Sequence, residues 1–471
     1  MHRRNVLRRR DFARERHERG ETPAPVTSVR EAGVMATQAA TALEDKLAGI
    51  RVDWPAPAHV PADRKISIPW AFGYEPNDLA DPYEPAGWLS GPDVPRLLYM
   101  PLPPEGAGHG AAGQTEAGWV VTHYDDIERV YTDNELFSNK GQAEFQAYVG
   151  ETFRSIPIAI DPPEHRRYRM FLMQFLSPSR VNRMQDDIRR IVLEMIDGFA
   201  AKGEVDIAWD FGRVYPVRIF MGLMGFPAAM FEQFLAWEFD ILHSNDAERL
   251  GTSMRGILAY LRSFIAEKER NPDETMASGI VNGRIDGEPL TEDDKIGIIW
   301  FLWLGGLDTV ASSIAHMYRR MAQYPEIQRT LAADLSLVPT AVEEFLRMHP
   351  VVNSPRRAKR DLEWHGVLIK QGEPVHCLNA AGNYDPSQFA DPRRFDAARS
   401  PNRHFSFVGG VHICLGAPLA RRELRVLLDE WFKRMPEFHV KPGTDTSVYP
   451  GLLSIRNLHI EWDPAAVRSP D

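Results

Sequence analysis

The spacing of apolar positions changes character along the chain. Leu97-Leu98-Tyr99-Met100 and Gly118-Trp119-Val120-Val121-Thr122 are short runs rich in aromatic and branched residues, and they read as two strands. Beyond Tyr124 the apolar positions recur with helical spacing. Helices are expected near 125–136, 163–175, 179–202, 212–224, 228–243, 251–270, 291–323, 325–334, 338–349 and 416–434. Pro162-Pro163 suits a helix start, where the missing N–H would be unpaired anyway. Strand signals return at 361–370, 374–377 and near 452–461. The pattern predicts a mainly α protein with small β-sheets. The longest apolar run, Ile296 to Leu307, is bounded by Lys295 and Asp308 and falls short of the ~18 residues a membrane span needs.

Composition narrows the class without naming a chemistry. The chain has 471 residues, 44% hydrophobic and 25% charged, ample for a sizeable core. A net charge of −10 gives no electrostatic case for nucleic acid. Two cysteines, Cys377 and Cys414, make no disulfide framework and fit a reducing cytoplasm. Met1 to Gly20 is Arg-rich, but Asp11, Glu15 and Glu18 interrupt it and no apolar core follows, so it reads as a disordered tail rather than a transit peptide. Met35 offers a later start. Residues 1–50 are expected to be a disordered or extended arm ahead of one large domain, 51–471. Gly108, Gly110 and Gly113 spell G-x-G-x-x-G, yet a strand follows where a dinucleotide site needs a helix, so a hairpin loop is expected there.

The chemistry concentrates in Phe407-Val408-Gly409-Gly410-Val411-His412-Ile413-Cys414-Leu415-Gly416-Ala417-Pro418-Leu419-Ala420-Arg421. One cysteine sits in a glycine-flanked loop that runs into a helical pattern. Gly409, Gly410 and Gly416 allow unusual backbone and close approach to a flat ligand. The helix N-terminus behind Cys414 favours a negative sulfur. Such a thiolate can ligate haem iron. The pattern F-x-x-G-x-H-x-C-x-G-x-x-L-A-R resembles the haem-binding loop of the cytochrome P-450 monooxygenases. The resemblance covers roughly residues 60 to 465. It implies the P-450 fold, a single haem domain over 51–471, haem b held by Cys414 between a long distal helix and the proximal loop, and cofactor contacts from Phe407 and Gly416.

Three further segments take meaning beside it. Glu344 and Arg347 at i and i+3 share one helix face; alone they would be a surface pair worth about 0–1 kcal/mol. With the run Asn383-Tyr384-Asp385-Pro386 to Arg399 behind them, the resemblance implies a buried structural network of Glu344, Arg347 and Arg399. Leu304-Gly305-Gly306-Leu307-Asp308-Thr309 places two glycines inside a long helix, at about 2 kcal/mol of propensity relative to alanine. Close helix packing would account for that. Oxygen chemistry accounts for it too: Gly305 and Gly306 leave room for dioxygen, Thr309 hydrogen-bonds the distal oxygen and Asp308 passes protons. The stretch resembles the acid–alcohol pair of the P-450 distal helix. Asp161-Pro162-Pro163-Glu164-His165-Arg166-Arg167-Tyr168-Arg169 resembles the family's propionate segment. It implies His165 and Arg169 as propionate partners, with Arg356 and His412.

Within the superfamily the chain resembles most the soluble bacterial camphor-hydroxylase group. That implies dioxygen, a [2Fe–2S] ferredoxin with its flavin reductase, no membrane, and a cytoplasmic monomer. A basic proximal surface of Arg166, Arg167, Arg169, Arg403 and Arg421 would receive the ferredoxin. The substrate positions align with Phe153, Phe301, Leu304, Val352 and Leu453, all apolar. Phe153 stands where the camphor enzyme has a ketone-binding Tyr, and Ser354 replaces an acid near a propionate. An apolar site discriminates weakly, so a monoterpenoid, norisoprenoid or alkylaromatic is expected rather than camphor. The alternative is a non-oxygenating haem-thiolate protein, an isomerase, dehydratase or sensor, against which Asp308-Thr309 argues.

Overall fold

The computed structural model describes residues 43–68, 83, 86–102, 116–244, 246–449 and 452–469. The chain divides into two units, Met1–Ile50 and Arg51–Asp471, and the architecture below belongs to the second. The arginine-rich segment before Gly20 and the glycines at 108, 110 and 113 lie outside the described residues.

The strand-like runs form the edge of a five-stranded sheet. Its members are β1 (Leu97–Met100), β2 (Gly118–Val121), β3 (Phe137–Ser138), β4 (Pro355–Ala358) and β5 (Pro374–Cys377), in spatial order β1-β2-β5-β4-β3. β1 and β2 are antiparallel, with Leu97 opposite Val121. β2 runs parallel to β5, with Trp119 opposite Val375 and Val121 opposite Cys377. Both strands are buried along their whole length, which suits apolar runs without alternation. Trp119 is fully buried and its indole N–H donates to Glu373 Oε2 at 2.8 Å. A hairpin of Leu362–Trp364 and Val367–Ile369 covers the expected signal at 361–370. The two- to four-residue strands β3 and β4 carry no period of their own and were not expected.

Ten helices build the rest of the frame: α1 (Tyr124–Thr132), α2 (Glu164–Met173), α3 (Gln185–Phe199), α4 (Val214–Met224), α5 (Phe231–His243), α6 (Ala247–Arg270), α7 (Glu292–Gly305), α8 (Asp308–Gln323), α9 (Val338–Met348) and α10 (Ala417–Arg434). Further helices, among them Pro325–Ala333, fill the connections. Ile127, Val130 and Tyr131 of α1 pack on the sheet with Trp119, Val375 and Cys377. A second apolar centre stacks Trp300 on Trp303 at 5.6 Å and sets Phe234 edge-on to Trp303.

The expected helix over 291–323 is interrupted. Thr291 opens α7 with a capping box to Asp294, and α7 stops at Gly305. Gly306 and Leu307 leave the helical ladder before α8 begins at Asp308. The whole span Glu292–Gln323 is long and apolar enough to cross a membrane, but most of its apolar window is buried inside the protein, as in a core helix. Reading only the unbroken apolar run understated its length, because α8 continues with one apolar face.

The chain around Phe153 threads against this rod. A Cβ on Gly297 would lie 2.1 Å from the carbonyl oxygen of Arg154, and the Ile156 N–H donates to the Gly297 carbonyl at 3.3 Å. Gly297→Ala therefore forces the two segments apart. The expected result is a loss of about 1–3 kcal/mol, the usual range for overpacking, measured by denaturant unfolding, with weaker binding of any ligand that touches Phe153.

Candidate functional site

The loop before α10 holds Cys414 with main-chain bonds. The Cys414 N–H donates to the Phe407 carbonyl at 2.9 Å. Val408 and Gly410 both have positive φ, and a Cβ at Gly410 would lie 2.0 Å from the Tyr131 carbonyl oxygen, so that position admits only glycine. Gly409 and Gly416 have φ of −140° and −79°, open to any residue, so the expected conformational need at all three glycines reduces to one. A Cβ at Gly416 would sit 3.8 Å from the sulfur, an ordinary contact. Phe407 lies beneath the Arg421 guanidinium at 4.4 Å.

Cys414 is reachable by solvent while protein atoms surround it. That enclosure raises its thiol pKa, against the pull of the Gly416 and Ala417 N–H groups, Arg169 and Arg421. The helix terminus alone does not make the thiolate; a cation at the sulfur would. Cys377 differs: it is fully buried in β5 and burial pushes its thiol up to about 12.

Behind the loop lies a buried ionic network. Arg347 donates Nε and Nη2 to the two oxygens of Glu344, both at 2.8 Å, and both side chains are fully buried. Arg399 Nε reaches both Glu344 oxygens at 3.0 Å. Asn402 and the Asp396 N–H add donors at 3.1 Å. Arg347 also donates to the carbonyls of Asn383 and Pro392. Asn383 accepts from the Phe405 N–H at 2.8 Å, and Ser406 donates to Leu346 at 2.6 Å. These bonds tie α9 to the strand of chain entering the cysteine loop. Asn402 and Ser406 were not singled out from sequence, and Asn383 entered only as the first residue of the run behind the Glu–Arg pair.

Four basic side chains converge on the other side of the loop. The His165 and His412 rings lie 4.0 Å apart. Burial, then Arg169, drives His165 down to about 4; burial, then His165, Arg356 and Arg169, drives His412 down to about 2. Arg169 donates to the Ile413 carbonyl. Arg356 donates to Ser354 Oγ at 2.9 Å and lies 4.8 Å over the Tyr131 ring. His165 Nε2, His412 Nε2 and Arg356 Nη2 are buried without a hydrogen-bond partner. Buried donors with mutually repelling charge call for an anion. The donor set fits the two carboxylates of a haem, with the Cys414 sulfur beside Arg169.

The interrupted helix supplies the opposite wall. A Cβ at Gly305 would meet nothing within 4 Å, whereas one at Gly306 would strike the Phe220 ring at 2.7 Å. Of the two glycines, only Gly305 faces open space; Gly306 serves helix packing, which corrects the shared role expected. Thr309 Oγ1 donates to the Gly305 carbonyl at 3.2 Å. Asp308 is buried, with Oδ2 at 2.9 Å from His243 Nε2 and accepting from Ser454 Oγ at 2.9 Å. His243 and Ser454 come from distant segments, and no local pattern marks them.

Phe301 and Leu304 follow Gly297 on one face of α7, so the contact at Gly297 brings Phe153 toward that face. Phe153 and Leu453 are buried; Leu453 has a φ of 50° and its carbonyl accepts from His316 Nε2 at 2.6 Å. The Val352 carbonyl accepts from Asn379 at 2.8 Å. The arginines expected on the proximal surface divide. Arg166 and Arg403 are exposed, and Arg167 is exposed but paired with Asp286 at 2.5 Å. Arg421 is engaged by Glu343 at 2.9 Å, and Arg169 by Ile413, so neither is a free docking cation. Despite burial, His404 and Arg421 hold the Glu343 carboxyl at about 2.

Comparison with known proteins agrees with this arrangement. The family model "Cytochrome P450" matches residues 229–451. The "Probable cytochrome P450 127A1" of Sinorhizobium fredii is 32% identical over 87% of this chain and 97% of its own length. The "Mycinamicin IV hydroxylase/epoxidase" of Micromonospora griseorubida is 32% identical over 68% of this chain and 83% of its own. The crystal structure of CYP101J2, 30% identical, superposes with a TM-score of 0.73 and covers 87% of this chain and all of that one.

The two cysteines provide a direct test of the site. Cys414→Ser is expected to remove the red-shifted Soret band of the reduced carbon monoxide complex, while Cys377→Ser keeps it. The reverse outcome would transfer the ligand role to the sheet.

Proposed function

The chain belongs to the cytochrome P450 family, and on that premise we propose that it hydroxylates a small hydrophobic molecule, a monoterpenoid, norisoprenoid or alkylaromatic, with electrons from a [2Fe–2S] ferredoxin and its flavin reductase. Membership makes it a haem-dependent monooxygenase with haem b as cofactor. The balance is RH + O₂ + 2e⁻ + 2H⁺ → ROH + H₂O. The bound haem supplies the oxidising chemistry.

The residues divide the remaining work. Cys414, with Gly416 and Phe407 on either side in its loop, would hold the iron as thiolate, and the neighbouring N–H groups and Arg169 favour the negative sulfur. His165, Arg169, Arg356 and His412 take the propionates. Asp308, buried yet held below the usual carboxylate range by His243, takes up and hands on a proton at Oδ2, and Thr309 presents its hydroxyl beside the open face of Gly305. This last juxtaposition carries the proposal: a buried acid adjoins an alcohol where the helix leaves room, which serves controlled proton delivery to oxygen. Phe153, Phe301, Leu304, Val352 and Leu453 exclude water and orient the C–H bond. Residues 51–471 act as the haem domain, and the enzyme works as a cytoplasmic monomer. With Arg421 and Arg169 engaged, Arg166 and Arg403 are the cations left to receive a ferredoxin.

Thr309→Ala is expected to uncouple the reconstituted enzyme. NADH use persists, product per NADH falls at least tenfold, a conservative share of what proton-transfer groups contribute (about 10²–10⁴), and hydrogen peroxide rises. Unchanged coupling would remove Thr309 from oxygen activation.

The substrate class is tested by spin state. Each buried CH₂ of ligand gains roughly 0.8 kcal/mol, so compact hydrocarbons of about ten carbons reach micromolar affinity without a polar anchor. Apolar terpenoids or alkylbenzenes are expected to shift the haem to high spin more fully than camphor. Phe153→Tyr should narrow that difference by offering the ketone a partner. A preference for camphor in the parent protein would overturn the pocket assignment.

A further inference from the structure

The acid of the distal pair sits at the centre of a buried charge cluster. Asp308 Oδ2 lies 2.9 Å from His243 Nε2, and the His243 side chain is 2% exposed. Glu238 Oε1 is 3.8 Å from the same nitrogen, while its other oxygen accepts from Arg213. Ser454 Oγ donates to Asp308 Oδ2 and lies 2.5 Å from Ser312 Oγ. Glu238 Oε1 is buried without a hydrogen-bond partner, while on the Asp308 side Oδ2 of Asp308 and the hydroxyls of Ser454 and Ser312 are engaged. The far nitrogen of the ring is not: His243 Nδ1 is buried without a partner.

A small cavity adjoins it. Its walls include Arg213, His243, Asp308, Tyr449 and Ser454, and its volume of ≈ 20 Å³ admits about one water. Trp209, another wall, is 38% exposed, so solvent reaches the outer side of the cavity. Trp209 belongs to a π-helix, Ile207–Gly212, whose start is fixed by Asp206 accepting from the N–H groups of Ala208 and Trp209. This wide turn carries Trp209 and then Arg213 to the flank of α8.

We propose that His243 is a proton-relaying residue for the oxygen site, taking protons from the small cavity at Nδ1 and passing them from Nε2 to Oδ2 of Asp308. This rests on the reading of Asp308 as proton donor given above. In each passage an O–H bond of a hydrated proton in the cavity breaks as an Nδ1–H bond forms, and the Nε2–H bond breaks as an Oδ2–H bond forms. One proton moves and no electrons are exchanged. Once Asp308 has handed its proton on, the ring is reset by turning toward the cavity and exchanging protons with water, which takes the Nδ1 proton and returns one to Nε2.

The charges around the ring suit a proton that comes and goes. From its own helix His243 meets Glu238; Asp240 is engaged elsewhere, by Arg249 and Ser253. The segment after the π-helix contributes Arg213, α8 contributes Asp308, and the C-terminal loop contributes Tyr449, 5.3 Å away between ring centroids, with Arg456 stacked on it at 4.2 Å. Burial lowers the His243 pKa, but Asp308 and then Glu238 outweigh it and leave the value raised. Burial and then Asp308 push Glu238 up to about 7. For both groups the folded state binds protons more tightly than the unfolded state. His243 therefore contributes stability that is complete below its unfolded pKa of about 6.5 and is lost as pH rises through its folded value.

His243→Gln provides the test, because the amide still donates to Asp308 but cannot relay. Haem content is expected to match the parent. Product per NADH should fall about tenfold to hundredfold, hydrogen peroxide should rise, and the pH dependence of coupling should flatten. The decline in thermal stability above pH 6.5 should shrink as well. Independently of that variant, ¹⁵N NMR of the parent should show the His243 ring titrating above 6.5. A variant that couples like the parent with the same pH profile, or a ring that stays neutral from pH 5 to 9, would overturn the relay. Asp308→Asn separates the two ideas. If it uncouples while His243→Gln does not, only the relay fails; if Asp308→Asn couples normally, the reading of Asp308 itself fails.

Discussion

The carboxylate of Glu344 anchors the proximal half of the molecule. Two arginines, one asparagine and one main-chain N–H converge on its two oxygens in a fully buried setting. Such a cluster adds little net stability over a well-packed apolar equivalent, yet removing one partner costs about 3–5 kcal/mol because the others are stranded. Its value here is geometric. Arg347 spends its remaining donors on the carbonyls of Asn383 and Pro392, and Asn383 in turn holds the Phe405 N–H. The ion cluster thus fixes the height at which the chain enters the cysteine loop. The loop then needs only Gly410 against Tyr131 to complete its turn.

The distal side solves a different problem by the opposite means. Where the proximal side adds bonds, the helix over Glu292–Gln323 gives some up. Thr309 takes the Gly305 carbonyl with its hydroxyl, and Gly306 is pinned by Phe220. Hydroxyl back-bonding of this kind competes with the helix ladder. The interruption is stable because the flanking pieces are buried on their own account, with a capping box opening α7 and the Asp308 cluster opening α8. Open space beside Gly305 is a consequence of packing elsewhere on the same helix.

What could be read from the residues follows the range of the interactions. Helices and the strands at Leu97–Met100 and Gly118–Val121 are set by apolar spacing within a few residues, and their expected bounds lie close to those found. Glu344 and Arg347 share one helix, so their pairing was visible at i and i+3. The break at Gly306 was not, because it depends on Phe220 from another helix. The partners of Asp308 were equally hidden: His243 and Ser454 are ordinary residues in sequence and gain meaning only where α5 and the C-terminal loop meet α8. Arg421 misled for the same reason, since its partner Glu343 sits on another helix and turns a surface cation into a tie.

The electrostatics of the protein explain why the cofactor and the fold belong together. Four basic groups, His165, Arg169, Arg356 and His412, are crowded at one edge of the cysteine loop, and all have lowered pKa values, burial being the first cause in each. A few residues away Cys414 has a raised one, again from burial. His165 and His412 are thereby held from their charged forms by desolvation and by neighbouring cations, and the thiol by desolvation alone. Two carboxylates and an iron cation would relieve both at once, since the anions favour protonated bases and the cation favours the thiolate. The binding free energy of such a group is then also folding free energy. In the distal cluster the protein supplies its own partners, Arg213 for Glu238 and His243 for Asp308. On the relay proposed above, that side of the site would exchange protons while the other would be held by its ligand.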